Sequence, residues 1–378
     1  MNYCSNCLNV DTRPNSNFPK KNLCSACDYY SKNRNVDYDE RLGILKKLIK
    51  KFPKSKKNFD CIIGVSGGKD STRQALWIRD KLKLRPLLVC MGYPPEKANH
   101  IGAQNLSNLI NLGFDVHSIY YSPQVWKKLA RYCFLNFGNY LRHSEQAIVS
   151  CVPRLAIKYK IPVIFWGENP GDVLGDEKTK GKNGYDGNNV KYMNTVAGGK
   201  LEWLFEAGFE LKKFFPFEFP KPDQFDKNKI QIIYLNWFWK DWSIVNNAVY
   251  SGVEGLRIRE DSFKNTQDLY GVFSLDEDWV TLNQMIKFYK YGFGRVSDYV
   301  NEEIRLGRIS RNDAIKLVEE YDGTVGEKYI ESFCEYIDIT KTEFWENVRK
   351  VTNKDLFKID NKNRIKRKYK VGIGIIND

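Results

Sequence analysis

The sequence predicts an α/β protein built on a doubly wound parallel sheet, preceded by a cysteine-based metal knuckle and followed by a mostly helical region. Three observations predict it. Short apolar runs alternate with helical periodicity from residue 59 to 166, four cysteines form two C-x-x-C pairs before residue 28, and the strand–helix alternation stops past Pro170. With 378 residues the chain can hold two or three units of ordinary domain size.

Residues 1–37 are read as the knuckle. Cys4 and Cys7, then Cys24 and Cys27, are separated by sixteen residues, which is zinc-ribbon spacing, because each pair chelates from a tight turn and two pairs close a tetrahedron. Four thiolates leave no coordination position open for water, so the expected Zn²⁺ is structural; an iron–sulfur centre on the same thiolates is the alternative. The opening Met1-Asn2-Tyr3-Cys4 lacks a signal-peptide pattern, and no run reaches the length of a membrane span, so a cytoplasmic protein is expected, where disulfides are disfavoured. The other five cysteines stand singly. His100, His117 and His143 are dispersed and suggest no catalytic triad.

Residues 38–58 read as a basic amphipathic helix, with Leu42, Leu45, Leu48, Ile49 and Phe52 at helical spacing. The α/β domain follows at 59–200. Its strands are expected at 59–65, 86–91, 114–120 and 161–166, and its helices at 70–82, 96–112 and, in two pieces, 123–159. Residues 171–200, rich in Gly, Asn, Asp and Lys, read as a long mobile loop of the lid type. Residues 201–348 form a helical, aromatic-rich substrate region, and 349–378 a basic tail. The segments 41–58 and 349–370 carry +8 each against a formal net charge of +14 for the chain, so the remainder is close to neutral at about −2 and the basic character is local.

The chemistry is concentrated at Ser66-Gly67-Gly68-Lys69-Asp70-Ser71, between a strand and a helix. Glycines there let backbone N–H groups converge on a ligand, and the helix N-terminus adds positive potential, so the loop suits phosphate. It is not G-x-x-x-x-G-K-[ST], because Lys69 stands where that pattern needs its second glycine. A second loop, Gly167-Glu168-Asn169-Pro170, follows the fourth strand. In a doubly wound sheet both loops fall at the carboxyl edge, where ligands bind.

The string Ser66–Ser71 matches SGGxDS and resembles the signature of the PP-loop ATP pyrophosphatases, a Rossmann-like fold. Within that superfamily the chain is similar to the N-acetyl sugar amidotransferases of bacterial surface-polysaccharide and flagellar-sugar biosynthesis. The likeness extends over the C-x-x-C pairs, Gly167-Glu168-Asn169-Pro170, Lys290-Tyr291-Gly292-Phe293-Gly294-Arg295, Ile304-Arg305-Leu306-Gly307-Arg308-Ile309 and Asp322-Gly323. It implies ATP cleaved between its α and β phosphates, with Ser66, Gly67, Gly68, Lys69, Asp70, Ser71 and Asn169 binding ATP. Lys69, Asp70 and Glu168 would be catalytic, and Asp70 would bring Mg²⁺ to the phosphates. Lys290 and Arg295 are candidates for an acidic or nucleotide-activated N-acetyl sugar.

The implied reaction turns an acetamido into an acetamidino group through an O-adenylylated intermediate. Its ammonia would come from a separate glutaminase, with a barrel-type companion as a further partner. Nucleic acid is disfavoured as a partner. Two other readings are a tRNA-modifying, thiolase-like enzyme, favoured by the basic segments, and a zinc-bearing nucleotide-binding scaffold without turnover.

Overall fold

Five short apolar segments associate as one all-parallel sheet. The computed structural model describes residues 1–20, 22–52, 58–94 and 99–376. Strands β1 (Cys61–Gly64), β2 (Pro86–Met91), β3 (Val116–Ile119), β4 (Val163–Trp166) and β5 (Gln231–Tyr234) lie in the order β3-β2-β1-β4-β5. Ile62 pairs with Leu87 of β2 and with Ile164 of β4, so β1 is central. The chain winds outward from β1 through β2 to β3, then crosses to β4 on the other side. The strand order therefore reverses between β1 and β4, and a crevice opens at their carboxyl ends.

Both faces of the sheet are buried, which explains why its strands read as continuous apolar runs. Ile62, Val89, Ile164 and Ile232 face one way, against the Arg142–Tyr159 helix and the 201–230 segment. Cys61, Ile63, Leu88, Phe165 and Ile233 face the other way, under the Tyr38–Lys50, Lys69–Leu82 and His100–Asn111 helices. Full burial of each such side chain contributes about 1.5–3 kcal/mol.

The structure differs from the expectation in three places. The fifth strand comes from beyond residue 200, where Gln231–Tyr234 runs into an aromatic stretch that hides its β character in the sequence. The 171–200 segment is packed rather than lid-like: Thr179, Val190 and Val196 are buried, Tyr185 O accepts from Tyr234 N at 2.9 Å, and Gly187 N donates to Ile232 O at 2.9 Å. It thereby covers the outer edge of β5, an edge that would otherwise template aggregation. The basic C-terminal segment is folded too, over its described residues 349–376. The ribbons Phe357–Ile359 with Ile365–Arg367 and Tyr369–Lys370 with Gly374–Ile375 set Phe357, Tyr369 and Val371 into a core shared with Phe288, Phe293 and Val296.

Other expectations match at the level of elements. The predicted 38–58 helix is formed over Tyr38–Lys50, capped by Asp37; residues 53–57 lie outside the described residues. The helix expected to begin at Glu96 is described from His100, with Asn99 as its cap, and residues 95–98 likewise lie outside. No helix among the described residues is long and apolar enough to cross a membrane.

Candidate active site

A cavity of about 450 Å³ opens at the β1/β4 reversal, within the size range of small-molecule sites. Its floor is the loop after β1. Gly67 has φ +79°, and a Cβ there would lie 2.9 Å from Leu106 N, so both conformation and space require glycine. Gly68 begins the fourteen-residue Lys69–Leu82 helix, and among the described residues no side chain caps it. The N–H groups of the first turn are left to a ligand, with the helix dipole behind them.

Ser66, Gly68, Lys69, Asp70 and Ser71 all line the cavity. Buried Lys69 donates from Nζ to Asp70 Oδ2 at 2.7 Å, and Asp70 Oδ1 accepts from Asn247 Nδ2 at 2.6 Å. Asn247 in turn accepts from Arg73, which pairs with Asp241 at 2.7 Å. This chain of contacts fixes the rotamer of Asp70. Asn247 lies on the Ile244–Val253 helix, whose Ser251 Oγ donates to Lys69 O at 2.6 Å.

Glu168 enters from the loop after β4 and lines the same cavity. Burial pushes its carboxyl up to about 7, and the nearby carboxylates of Asp70 and Glu302 add to the rise while Lys69 and Arg295 oppose it. Burial also raises Glu302, with Asp70 contributing, although Glu302 Oε2 accepts from Ile244 N at 2.7 Å. Asp70, Glu168 and Glu302 thus gather negative charge on one part of the cavity lining. Asp70, with Glu168 and Glu302 facing it, fits a Mg²⁺-bound phosphate, since Mg²⁺ is held by one or two carboxylates plus phosphates.

The opposite wall is the Arg295–Arg305 helix, which presents Arg295, Asp298 and Glu302 to the cavity. Its N-terminus is held by buried Asp322, which accepts from Gly294 N and Val296 N at 2.8 Å each. That contact accounts for the Asp322-Gly323 motif. Arg295 stacks over Phe273 and Tyr299, with its guanidinium carbon 3.6 Å and 4.3 Å from the ring centroids, and its Nε has no hydrogen-bond partner. Glu145, pushed up to about 7 by burial, and Gln284 also line the cavity, and each has a buried side-chain oxygen without a partner.

Gly67 shapes the loop without itself lining the cavity, and two further predicted contacts lie elsewhere. Asn169 does not line the cavity; it is 1% exposed, and its Oδ1 caps the Pro170–Val173 turn by accepting from Gly171 N at 2.9 Å. Lys290 is at the far end of its helix, where Nζ donates to Phe137 O at 2.8 Å. Sequence reasoning missed Asp298, Glu302, Glu145, Gln284 and Asn247. A signal existed for two of them, because Arg295, Asp298 and Glu302 recur at spacings of three and four on one helix face.

Cys4, Cys7, Cys24 and Cys27 are buried with all four Sγ atoms within 4.8 Å of one another. Cys7 and Cys24 Sγ are 3.8 Å apart. A zinc tetrahedron with ~2.3 Å Zn–S bonds has edges of about 3.8 Å, so the donor set fits one Zn²⁺. A four-iron cluster would spread the thiolates further. The knuckle sits on the cavity-lining helix: Leu8 N donates to Asn301 Oδ1 at 2.7 Å, and Arg13 donates to Asp298.

The strand order, the SGGxDS loop after β1 and the acidic loop after β4 define a PP-loop α/β protein carrying an N-terminal four-cysteine cluster and a helical C-terminal region. Residues 259–371 match the family model described as LPS biosynthesis protein WbpG-like, C-terminal domain, and this segment contains the Arg295–Arg305 wall. No curated protein matches the chain.

Solved structures that resemble the chain include the U34-tRNA thiolase NcsA of Methanococcus maripaludis with its [4Fe-4S] cluster, at 14% identity over 89% of this chain and 95% of that one, TM-score 0.28. NMN synthetase from Francisella tularensis matches at 14% identity over 80% and 94%, TM-score 0.33. The NH3-dependent NAD synthetase from Campylobacter jejuni subsp. jejuni matches at 13% identity over 60% and 100%, TM-score 0.30. These superpositions are loose. The fold class rests on the strand order and the loop.

Proposed function

We propose that the protein is an ATP-dependent amidotransferase that converts an acetamido group of a nucleotide-activated or acidic sugar into an acetamidino group. The observation that carries this reading is the composition of the cavity walls. One wall is the PP-loop, and the facing wall belongs to the segment that matches a lipopolysaccharide-biosynthesis domain.

The loop N–H groups and Lys69 bind the phosphates of ATP and stabilise charge as the α–β bond breaks. Asp70, supported by Glu168 and Glu302, would hold Mg²⁺, which neutralises the phosphate oxygens when bound. The acetamido oxygen attacks the α-phosphorus and pyrophosphate leaves, giving an O-adenylylated imidate. Ammonia adds to the imidate carbon, AMP departs, and the proton released from nitrogen goes to a cavity carboxylate such as Glu168. Arg295 and the unpartnered oxygens of Glu145 and Gln284 line the cavity where the sugar would bind. A separate glutaminase, with a barrel-type companion, supplies the ammonia.

The thiolase-like alternative needs a reactive sulfur, and Cys151 does border the cavity. Burial pushes that thiol up to about 12, and Sγ donates to Ile148 O, so it is an inert core thiol. Incubation of nucleotide-activated acetamido sugars with ATP, Mg²⁺ and ammonium, followed by mass spectrometry, tests the proposal. A product about one mass unit lighter than its substrate, formed with AMP and pyrophosphate, is expected. ATP consumption dependent on tRNA, with none dependent on sugar, would overturn it.

A further inference from the structure

Behind the central cavity lies a second, much smaller chamber. It is lined by Tyr93, Trp126, Tyr140, His143, Glu277 and Trp279, and about 10 Å³ is open to the centre of a water-sized molecule. That is room for one such molecule.

The two polar groups at its core are buried, His143 at 1% and Glu277 at 4% exposure. His143 Nδ1 lies 2.7 Å from Tyr140 O. A carbonyl only accepts, so Nδ1 carries the hydrogen and Nε2 is a bare acceptor. That Nε2 is buried without a hydrogen-bond partner. Glu277 accepts from Tyr140 Oη and, at 2.8 Å, from Trp279 N. The hydroxyls of Tyr140 and Ser144 are already committed as donors, to Glu277 and to Leu141 O. The chamber therefore sets the Glu277 and His143 Nε2 acceptors beside aromatic rings, with the Trp126 ring 4.6 Å from that of His143 and the hydroxyl-bearing Tyr93 and Tyr336 also on its border. Such a surface complements a small cation that has only donors.

Its position gives the cation a role. Tyr93 borders both the chamber and the central cavity, and Asp276, next to Glu277, lines the central cavity. On the other side Trp279 is only partly buried. The chamber thus stands between the surface and the site where an acceptor carbon would react.

We propose that this chamber binds the nitrogen donor, holding one ammonium ion between the Glu277 carboxylate and His143 Nε2 before the nitrogen enters the central cavity; the inference rests on the amidotransferase reading. Transfer of one N–H proton from ammonium to Glu277 leaves a neutral carboxylic acid and NH₃ with its lone pair free. Burial supports this division of roles, pushing Glu277 up to about 8 and His143 down to about 3, so that the carboxyl exchanges the proton and the imidazole stays neutral.

The test has two arms on the full-length protein. Crystals of the wild type soaked in thallium(I), an ammonium-sized cation with an anomalous signal, are expected to show a peak between Glu277 and His143. In steady-state assays with ammonium chloride as nitrogen source, Glu277→Gln and His143→Phe are expected to raise the ammonium KM ten-fold or more, with the KM values for ATP and sugar unchanged. An ordered water only in the chamber, without thallium, would overturn the proposal, as would an unchanged ammonium KM in folded variants. Where a substitution prevents folding, the thallium arm decides. If no acetamido sugar yields AMP and pyrophosphate with the wild type, the amidotransferase reading fails, and the thallium result still reports on the chamber.

Discussion

The guanidinium of Arg13 donates to Asp298 Oδ1 at 2.5 Å while Lys287 Nζ donates to Oδ2 at 2.8 Å, so one buried carboxylate joins the cysteine knuckle to the helix that walls the cavity. Burial alone would raise the Asp298 pKa. Lys287, Arg13 and Arg295 outweigh it and hold the carboxyl well below its usual range.

Removing Arg13 leaves Asp298 buried with only Lys287 and Arg295 to compensate its charge. Arg13→Ala should therefore cost about 3 kcal/mol at pH 7, read from urea denaturation. Because the folded-state pKa of Asp298 is depressed, its contribution is present above the unfolded value near 4 and is lost as pH falls below it. The gap between wild type and variant should narrow in acid. A gap that widened below pH 4 would show that the pair is not what stabilises this junction.

The metal prediction follows from the same junction. Freshly purified, reduced protein should contain one zinc per chain, and Cys24→Ser should lower that content. Zinc held by the four thiolates would organise the segment that places Arg13 on Asp298. Chelation should then expose the N-terminus to protease and raise the sugar KM, with ATP affinity little changed. Elemental analysis finding no metal would refute it.

Glu168 allows a prediction with opposite effects on activity and stability. Its carboxyl is pushed up to about 7 from the ordinary 4.5. A raised folded-state pKa means that its contribution to stability is fully present below about 4.5 and is lost as pH rises through about 7. Glu168→Gln should therefore melt higher than wild type at pH 8 and about equally at pH 4, while abolishing turnover. Wild-type kcat/KM should rise through pH 7 as the base ionises. A variant melting lower at pH 8 would remove the electrostatic account of this site.

Arg295 and Lys290, paired as candidates by the sequence, should separate in experiment. Arg295 faces the cavity and Lys290 does not. Arg295→Ala is expected to raise the sugar KM ten-fold or more with the ATP KM unchanged, whereas Lys290→Ala should leave both KM values alone. Equal kinetic effects would place the sugar elsewhere.

What the sequence disclosed and what it concealed have physical reasons. Strands β1 to β4 and the Ser66–Ser71 loop were legible because both sheet faces are buried and because a glycine turn between strand and helix is a local pattern. Strand β5 was not, since four residues preceding Leu235-Asn236-Trp237-Phe238 carry no period of their own and are recruited by pairing with β4. Glu145 and Gln284 reach the cavity through tertiary packing, which no local spacing encodes. Asn169 was legible as polar and close to the site, yet its side chain satisfies the turn instead.

The C-terminal segment shows how tertiary contacts revise a reading based on charge. A basic tail would be dispensable, and truncating 361–378 would leave the chemistry intact. Tyr369 and Val371 are instead 5% and 2% exposed, and Tyr369 Oη donates to Gly292 O at 3.0 Å, at the turn leading into the Arg295–Arg305 helix. Deleting the segment would uncover Phe357 and Phe293 and release that turn. Losing a large buried aromatic side chain such as Tyr369 costs about 3–5 kcal/mol when a cavity is left. The truncated protein should thus be insoluble or melt far below wild type, while Lys362→Ala and Lys366→Ala, which remove charge from exposed or ribbon positions, should leave stability and turnover nearly unchanged. A soluble, fully active truncation would show that the ribbons do not support the cavity wall.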